Sequence, residues 1–143
     1  FRGASKQKIN QSASGGELSR IMLAITMALS KIARTPTIIF DEIDAGIGGN
    51  AADSVGEVLK QLGTEQQIFC ITHLPQIAAR GENHFSIRKK SENGKIPVTE
   101  IRCLNYQDRV DEIARMLGNE FSTETSVQHA TSLLLTHGQN IVN

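Results

Sequence analysis

Among the apolar side chains between residues 17 and 33, Leu18, Ile21, Met22, Ile25, Ala28, Leu29 and Ile32 form one stripe. That i, i+3, i+4, i+7 spacing predicts an amphipathic helix from Glu17 to about Ala33, which Pro36 ends. The period then changes. "TIIF" (37–40) is a continuous β-rich apolar run, followed by "DEID" and the glycine-rich "AGIGG". Asn50 is the expected N-cap of a second helix, with Val55, Val58, Leu59 and Leu62 as its stripe and Gly63 as its C-cap. "QIFCIT" (67–72) is a second continuous apolar strand. Two such strands separated by a helix predict a parallel βαβ unit, in a sheet buried on both faces.

Beyond His73 the pattern shortens. "LPQIAAR" (74–80) predicts a short helix. "HFSIRKK" and "PVTEIRCL" flank "SENGK", whose Asn-Gly pair is a strong hairpin signal. "DRVDEIARML" (108–117) predicts a helix that stops at Gly118. A last helix starts near Ser122 and carries Val127, Ala130, Leu133 and Leu134. Residues 1–13 are polar and have no clear period, so a short strand and a loop both stay open.

Of the 143 residues 39% are hydrophobic but only 4% aromatic, so the core is built mainly from Ile, Leu, Val and Ala. Fifteen basic residues balance fifteen acidic ones, which argues against a domain that holds nucleic acid by bulk charge. A local basic patch, "RKK" (88–90) with Lys95, leaves DNA-phosphate contact open beside the plainer reading of a solvated hairpin. Cys70 and Cys103 lie in apolar runs and read as buried strand thiols of a reducing compartment, with a disulfide between them not decided by the pattern. No run approaches the ~18–20 apolar residues that span a membrane, and no signal peptide is visible. The first residue is Phe, so the expectation is a piece of a longer protein.

Three places carry candidate chemistry. Asp41 and Glu42 follow an apolar strand, where open α/β sheets bind ligands. A carboxylate there suits Mg²⁺, and its neighbour can polarise a water; a solvated loop explains an isolated Asp-Glu pair equally simply. His73 follows the second strand, on the same sheet edge if the strands are parallel. It suits contact with a phosphate, or a local hydrogen bond alone. Ser14-Gly15-Gly16 precedes a helix whose bare N–H groups attract anions, and glycine lets a phosphate approach; a simple Ser14 cap is the alternative. His129 and His137 lack partner ligands at metal spacing and read as structural or exposed. Glu112 and Arg115, three apart on a helix, read as a surface pair.

The set is more specific than its parts. "SGGELSR" resembles the signature motif of ABC-type ATPase heads, "TIIFDE" the Walker B strand, "DAGIGG" the D-loop and "ITH" the switch-histidine strand. Ile43 follows the Walker B Glu where membrane transporters usually carry Pro, as in the SMC, Rad50 and RecN branch. "ASGGELSRIMLAI", "IIFDEIDAGIGG", "THLPQIAARGENHF" and "RVDEIARMLGNE" resemble the RecN family of SMC-like bacterial DNA-repair proteins, over roughly residues 12–135.

That resemblance implies an α/β fold: the C-terminal lobe of an ABC/SMC-type P-loop ATPase head, with a mostly parallel sheet flanked by helices, a β-hairpin and C-terminal helices. Residues 1–143 form one partial domain. It implies ATP and Mg²⁺ as ligands. Asp41 helps hold Mg²⁺, Glu42 is the general base and His73 touches the γ-phosphate. Ser14, Gly15, Gly16 and Glu17 bind nucleotide held by another head, and Asp44 in the D-loop meets the opposite subunit. No G-x-x-x-x-G-K-[ST] string is present, so the Walker A lobe and the coiled coil are expected upstream and the chain alone is expected to be inactive. The implied setting is recombinational repair of DNA double-strand breaks in the bacterial cytoplasm at the nucleoid. The expected partners are the Walker A lobe, a second identical head and DNA, with no membrane. Two other readings stay open: a non-hydrolysing head that serves as an interaction module, and a metal hydrolase built on Asp41, Glu42, Asp44 and His73.

Overall fold

The computed structural model describes residues 14–29, 35–90, 97–118 and 123–136. The chain divides into two compact units, residues 1–77 and 78–143, which are described separately.

In the first unit, helix α1 (Gly15–Leu29) precedes strand β1 (Thr37–Phe40), helix α2 (Gly49–Gly63), strand β2 (Gln67–Cys70) and the short helix α3 (Pro75–Ala78). β1 and β2 pair in parallel, from Thr37 opposite Gln67 to Phe40 opposite Cys70. The expected βαβ unit is therefore present. α1 begins two residues earlier than its apolar stripe suggests, and its expected end near Ala33 lies outside the described residues. α2 is capped by Gly48, not Asn50, and Gly48 offers no side-chain bond. Thr64, not Gly63, is the C-cap, and its hydroxyl donates to the Gln61 carbonyl at 2.8 Å.

The core of this unit is Leu23, Phe40, Ile43, Ala52, Leu59, Leu62 and Ile77. Two expectations fail here. The sheet is not buried on both faces: Ile39 is 67% exposed and Phe69 45%. The α1 stripe is also open, with Leu18, Ile21, Met22, Ile25 and Leu29 all exposed, while Leu23, off that stripe, faces the core. Periodicity identifies the apolar face of a helix but not what covers it. Between α1 and β1 runs a groove of about 270 Å³ lined by Leu18, Met22, Ile38 and Ile39.

In the second unit, β3 (Phe85–Lys90) pairs antiparallel with β4 (Val98–Cys103), from Phe85 opposite Cys103 to Lys90 opposite Val98. The connecting turn, with Asn93-Gly94 and Lys95, lies outside the described residues. Helix α4 (Tyr106–Met116) starts at Asn105, whose side chain accepts from Asp108 N at 2.9 Å. Past its end Gly118 has φ +112, a backbone state that favours glycine. Helix α5 (Glu124–Thr136) opens with reciprocal Thr123–Ser126 bonds; Ser122 and His137 lie outside the described residues. Val110, Ile113, Ala114, Ala130 and Leu134 form the second core with Ala79.

Glu112 is not a surface residue. It is buried, and it accepts from Arg115 at 2.7 Å and from Arg88 at 3.0 Å. Cys103 is exposed rather than buried; Cys70 is partly buried, and both are free thiols. His129 is exposed, in keeping with its reading.

Candidate functional site

The site is built on one turn. β1 delivers Asp41 at its C-terminal end, and the chain then reverses through residues 42–46 before α2. Glu42 takes φ +55, the left-handed region that non-glycine residues rarely occupy. Two bonds hold it there: Glu42 N donates to Asp41 Oδ1 at 2.9 Å, and Ala45 N donates to the Glu42 carbonyl at 3.1 Å. An unfavourable backbone state kept by its surroundings is a feature that gathers at functional sites. Asp41 and Glu42 are both exposed, so their carboxylates face solvent.

Helix α1 grips this turn from one side. Ser19 Oγ donates to the Asp41 carbonyl at 2.9 Å. Arg20 Nη1 donates to the carbonyls of Ile43 at 3.2 Å and Ala45 at 2.8 Å. The paired glycines make the close approach possible. A Cβ on Gly16 would lie 2.7 Å from Ala45 Cβ and 2.9 Å from the carbonyl oxygens of both Ala45 and Glu42. A Cβ on Gly15 would lie 2.6 Å from Glu42 Oε2. The start of α1 therefore sits against Glu42. A carboxylate at a helix N-terminus is electrostatically favoured.

Ser14 and Glu17 form a capping box. Glu17 N donates to Ser14 Oγ at 3.3 Å, and Ser14 N donates to Glu17 Oε2 at 2.8 Å. The bond from the Ser14 backbone, reinforced by the Ser14 hydroxyl, holds the Glu17 carboxyl below the usual carboxylate range. Both residues thus have a local structural task, which their exposure leaves open to ligand contact as well.

From the other side the turn meets the end of β2. Asp44 is buried, and its Oδ2 accepts from Thr72 Oγ1 at 2.6 Å, His73 N at 2.8 Å and His73 Nδ1 at 2.9 Å. The His73 side chain is 73% exposed. Asp41, Glu42, Asp44, His73 and the Ser14–Gly16 helix start are therefore joined through the turn. Parallel pairing explains how residues 29 positions apart meet: it puts the ends of both strands on one edge. Ser19, Arg20 and Thr72 complete the site, although no pattern in the sequence marks a role for them. Their only sequence signal is adjacency, one turn into α1 and one residue before His73. Cys70 lies beneath this edge, and burial, with Asp44 and Asp41 nearby, pushes its thiol up to about 12.

Two of the three described basic residues of the RKK run, and Arg102 on the opposite strand, are paired. Arg88 pairs with Glu112, Lys90 with Glu100 at 2.6 Å, and Arg102 with Asp108. Among the described residues no three His, Cys, Asp or Glu side chains gather as metal ligands do, so the metal-hydrolase reading lacks its ligand set. The exposed Asp41 carboxylate offers hard oxygen of the kind Mg²⁺ takes when phosphates and waters complete its shell. No described helix is long and apolar enough to cross a membrane.

Residues 4–96 match the family model of the RecF/RecN/SMC N terminal domain. The chain is 48% identical over 122 residues to the DNA repair protein RecN of Deinococcus radiodurans, covering 85% of this chain and 21% of that protein. It is 46% identical over 132 residues to RecN of Rickettsia bellii, covering 92% and 24%, and 41% identical over 133 residues to RecN of Vibrio cholerae, covering 93% and 24%. The chain thus spans less than a quarter of the length of these relatives. A solved structure described as "Structural biochemistry of ATP-driven dimerization and DNA stimulated activation of SMC ATPases" matches with a TM-score of 0.55 at 23% identity, over 83% of this chain and 70% of that one. At that identity the likeness is one of fold.

Proposed function

Since this chain belongs to the family of RecF/RecN/SMC N terminal domains, we propose that it is the C-terminal lobe of a RecN-like ATPase head, working in recombinational repair of DNA double-strand breaks. The observation that carries this reading is the turn 41–46, which joins an Asp-Glu strand end, a histidine strand end and a glycine-rich helix start. Phosphoryl transfer needs positioning and charge stabilisation more than covalent chemistry, and those three parts supply both.

In this reading Asp41 would help hold Mg²⁺, which would supply charge neutralisation at the phosphates. Glu42, exposed and fixed by its left-handed backbone, accepts a proton from the attacking water. His73 bonds the terminal phosphoryl oxygens. The Ser14–Gly16 helix start and Glu17 face the nucleotide held by a second, identical head, and Asp44 belongs to the turn nearest that head. The two compact units form part of one head, completed by a lobe bearing the Walker A loop. The open apolar faces of α1 and β1 support such a lobe, because exposed contiguous apolar surface marks an interaction site. ATP clamps two heads together and hydrolysis parts them, in the bacterial cytoplasm, on DNA contacted by the longer protein. The chain alone does not turn over ATP, for want of the Walker A lysine.

Mixing the chain with the P-loop lobe of its own protein tests this. ATPase activity that appears only on mixing supports the reading. A mixture that assembles and binds ATP without turnover refutes it in favour of a non-hydrolysing interaction module.

A further inference from the structure

We propose that Asp44 is a positioning residue for His73, fixing which imidazole nitrogen carries the proton and where the other nitrogen points. One oxygen, Asp44 Oδ2, takes three donors: Thr72 Oγ1 at 2.6 Å, His73 N at 2.8 Å and His73 Nδ1 at 2.9 Å. A backbone N–H is an obligate donor, so Oδ2 is an acceptor, and Nδ1 must carry hydrogen to bond it. Thr72 confirms the sense of the network. Its Oγ1 accepts from Leu74 N at 3.0 Å, so its proton is left for Asp44.

The two partners are buried unequally. The Asp44 side chain is 4% exposed and that of His73 73%. The carboxylate is thus the fixed end, and without it an exposed ring is free to rotate and exchange tautomers. Asp44 is itself held: its carbonyl accepts from Ile47 N at 3.3 Å, and Arg20 bonds the carbonyls on either side, of Ile43 and Ala45. The placement of the ring is therefore set from α1 through the turn. With Nδ1 committed, Nε2 stands on the exposed edge of the ring. Nε2 accepts when the ring is neutral and donates to a phosphoryl oxygen when both nitrogens carry hydrogen. The mechanistic part rests on the proposed ATPase reading, whereas the tautomer does not.

Imidazole ¹⁵N shifts of His73, assigned by their loss in His73→Gln, test the tautomer in the 143-residue chain. The expected result is an Nδ1-protonated ring that reverts in Asp44→Ala to the average of a free, exposed histidine. An Nε2-protonated or averaged ring in the unmodified chain overturns the proposal. In the longer protein, Asp44→Ala should lower kcat for ATP about 10–100-fold, taking the range known for partners that orient metal-ligating histidines, with little change in KM. The same substitution in a His73→Gln background should cost nothing more. An equal loss in both backgrounds shows that Asp44 acts on its own account and overturns the proposal. If Asp44→Ala does not fold, Asp44→Leu, close to aspartate in shape and without an acceptor, replaces it with the same expected and overturning outcomes. Should the longer protein prove inactive, the ATPase reading fails while the tautomer still decides this one.

Discussion

Gly16→Ala puts one methyl group where the helix start meets the turn. The added Cβ would stand 2.7 Å from Ala45 Cβ and 2.9 Å from the carbonyl oxygens of Ala45 and Glu42. Two of these three atoms are backbone and cannot rotate away. The turn cannot simply retreat, because Arg20 bonds its carbonyls and Asp44 ties it to Thr72 and His73. Forcing a methyl into such a place costs about 1–3 kcal/mol. Alanine returns up to ~1 kcal/mol in helix propensity, less at a first-turn position. The net expectation is a destabilisation of about 1–2 kcal/mol, or roughly 3–8 °C in Tm for a chain of this size. Gly15→Ala is the internal comparison. Its Cβ meets only the flexible end of Glu42, which can swing aside, so stability should hold within ~0.5 kcal/mol. Thermal unfolding followed by circular dichroism reads both. If Gly16→Ala melts with the unmodified chain, or Gly15→Ala costs more than Gly16→Ala, the proposed packing of the helix start is wrong.

Other predictions concern the second unit and the thiols. Arg109 is buried and donates to the carbonyls of Gly81 at 2.7 Å and Glu82 at 2.9 Å; Arg109→Ala should cost about 2–4 kcal/mol in urea unfolding, as expected for lost charged hydrogen bonds. Hydrogen bonding by Arg115, helped by Arg88, holds the Glu112 carboxyl below its ordinary value. Its stabilisation is therefore complete above the unfolded carboxylate pKa and is lost as pH falls through the lower folded value. Glu112→Gln should flatten that acid limb. Burial, then the Arg109 charge, lowers the pKa of His84, so stability should fall as pH drops below the ordinary histidine range, a step missing in His84→Gln. Of the two thiols, exposed Cys103 should react with an alkylating agent while Cys70, raised to about 12, stays inert near pH 8 until the chain unfolds.

Residue pattern foretold the elements well and their surroundings less well. "TIIF" and "QIFC" became strands because continuous β-rich runs fix both conformation and pairing partner. The hairpin strands around 91–96 likewise followed from local chemistry. Burial did not follow. The α1 stripe is apolar but open, and Leu23 is the side chain that enters the core. Glu112 looked like a surface residue because its partner Arg88 lies 24 positions away, a separation no helical spacing reveals. Within the site, Asp41, Glu42 and His73 were legible as strand ends. The left-handed backbone of Glu42 and the Asp44–His73 pair were not, since both depend on how the turn is clamped from α1 and β2.

Glu42 is proposed to accept the proton in ATP hydrolysis by a composite head. The most direct measurement is turnover and ATP binding by the longer protein carrying Glu42→Gln. Bound ATP should persist while hydrolysis falls by about 10²–10⁴-fold, the range for removal of a general base. Hydrolysis at the unmodified rate, with binding intact, would contradict that role for Glu42.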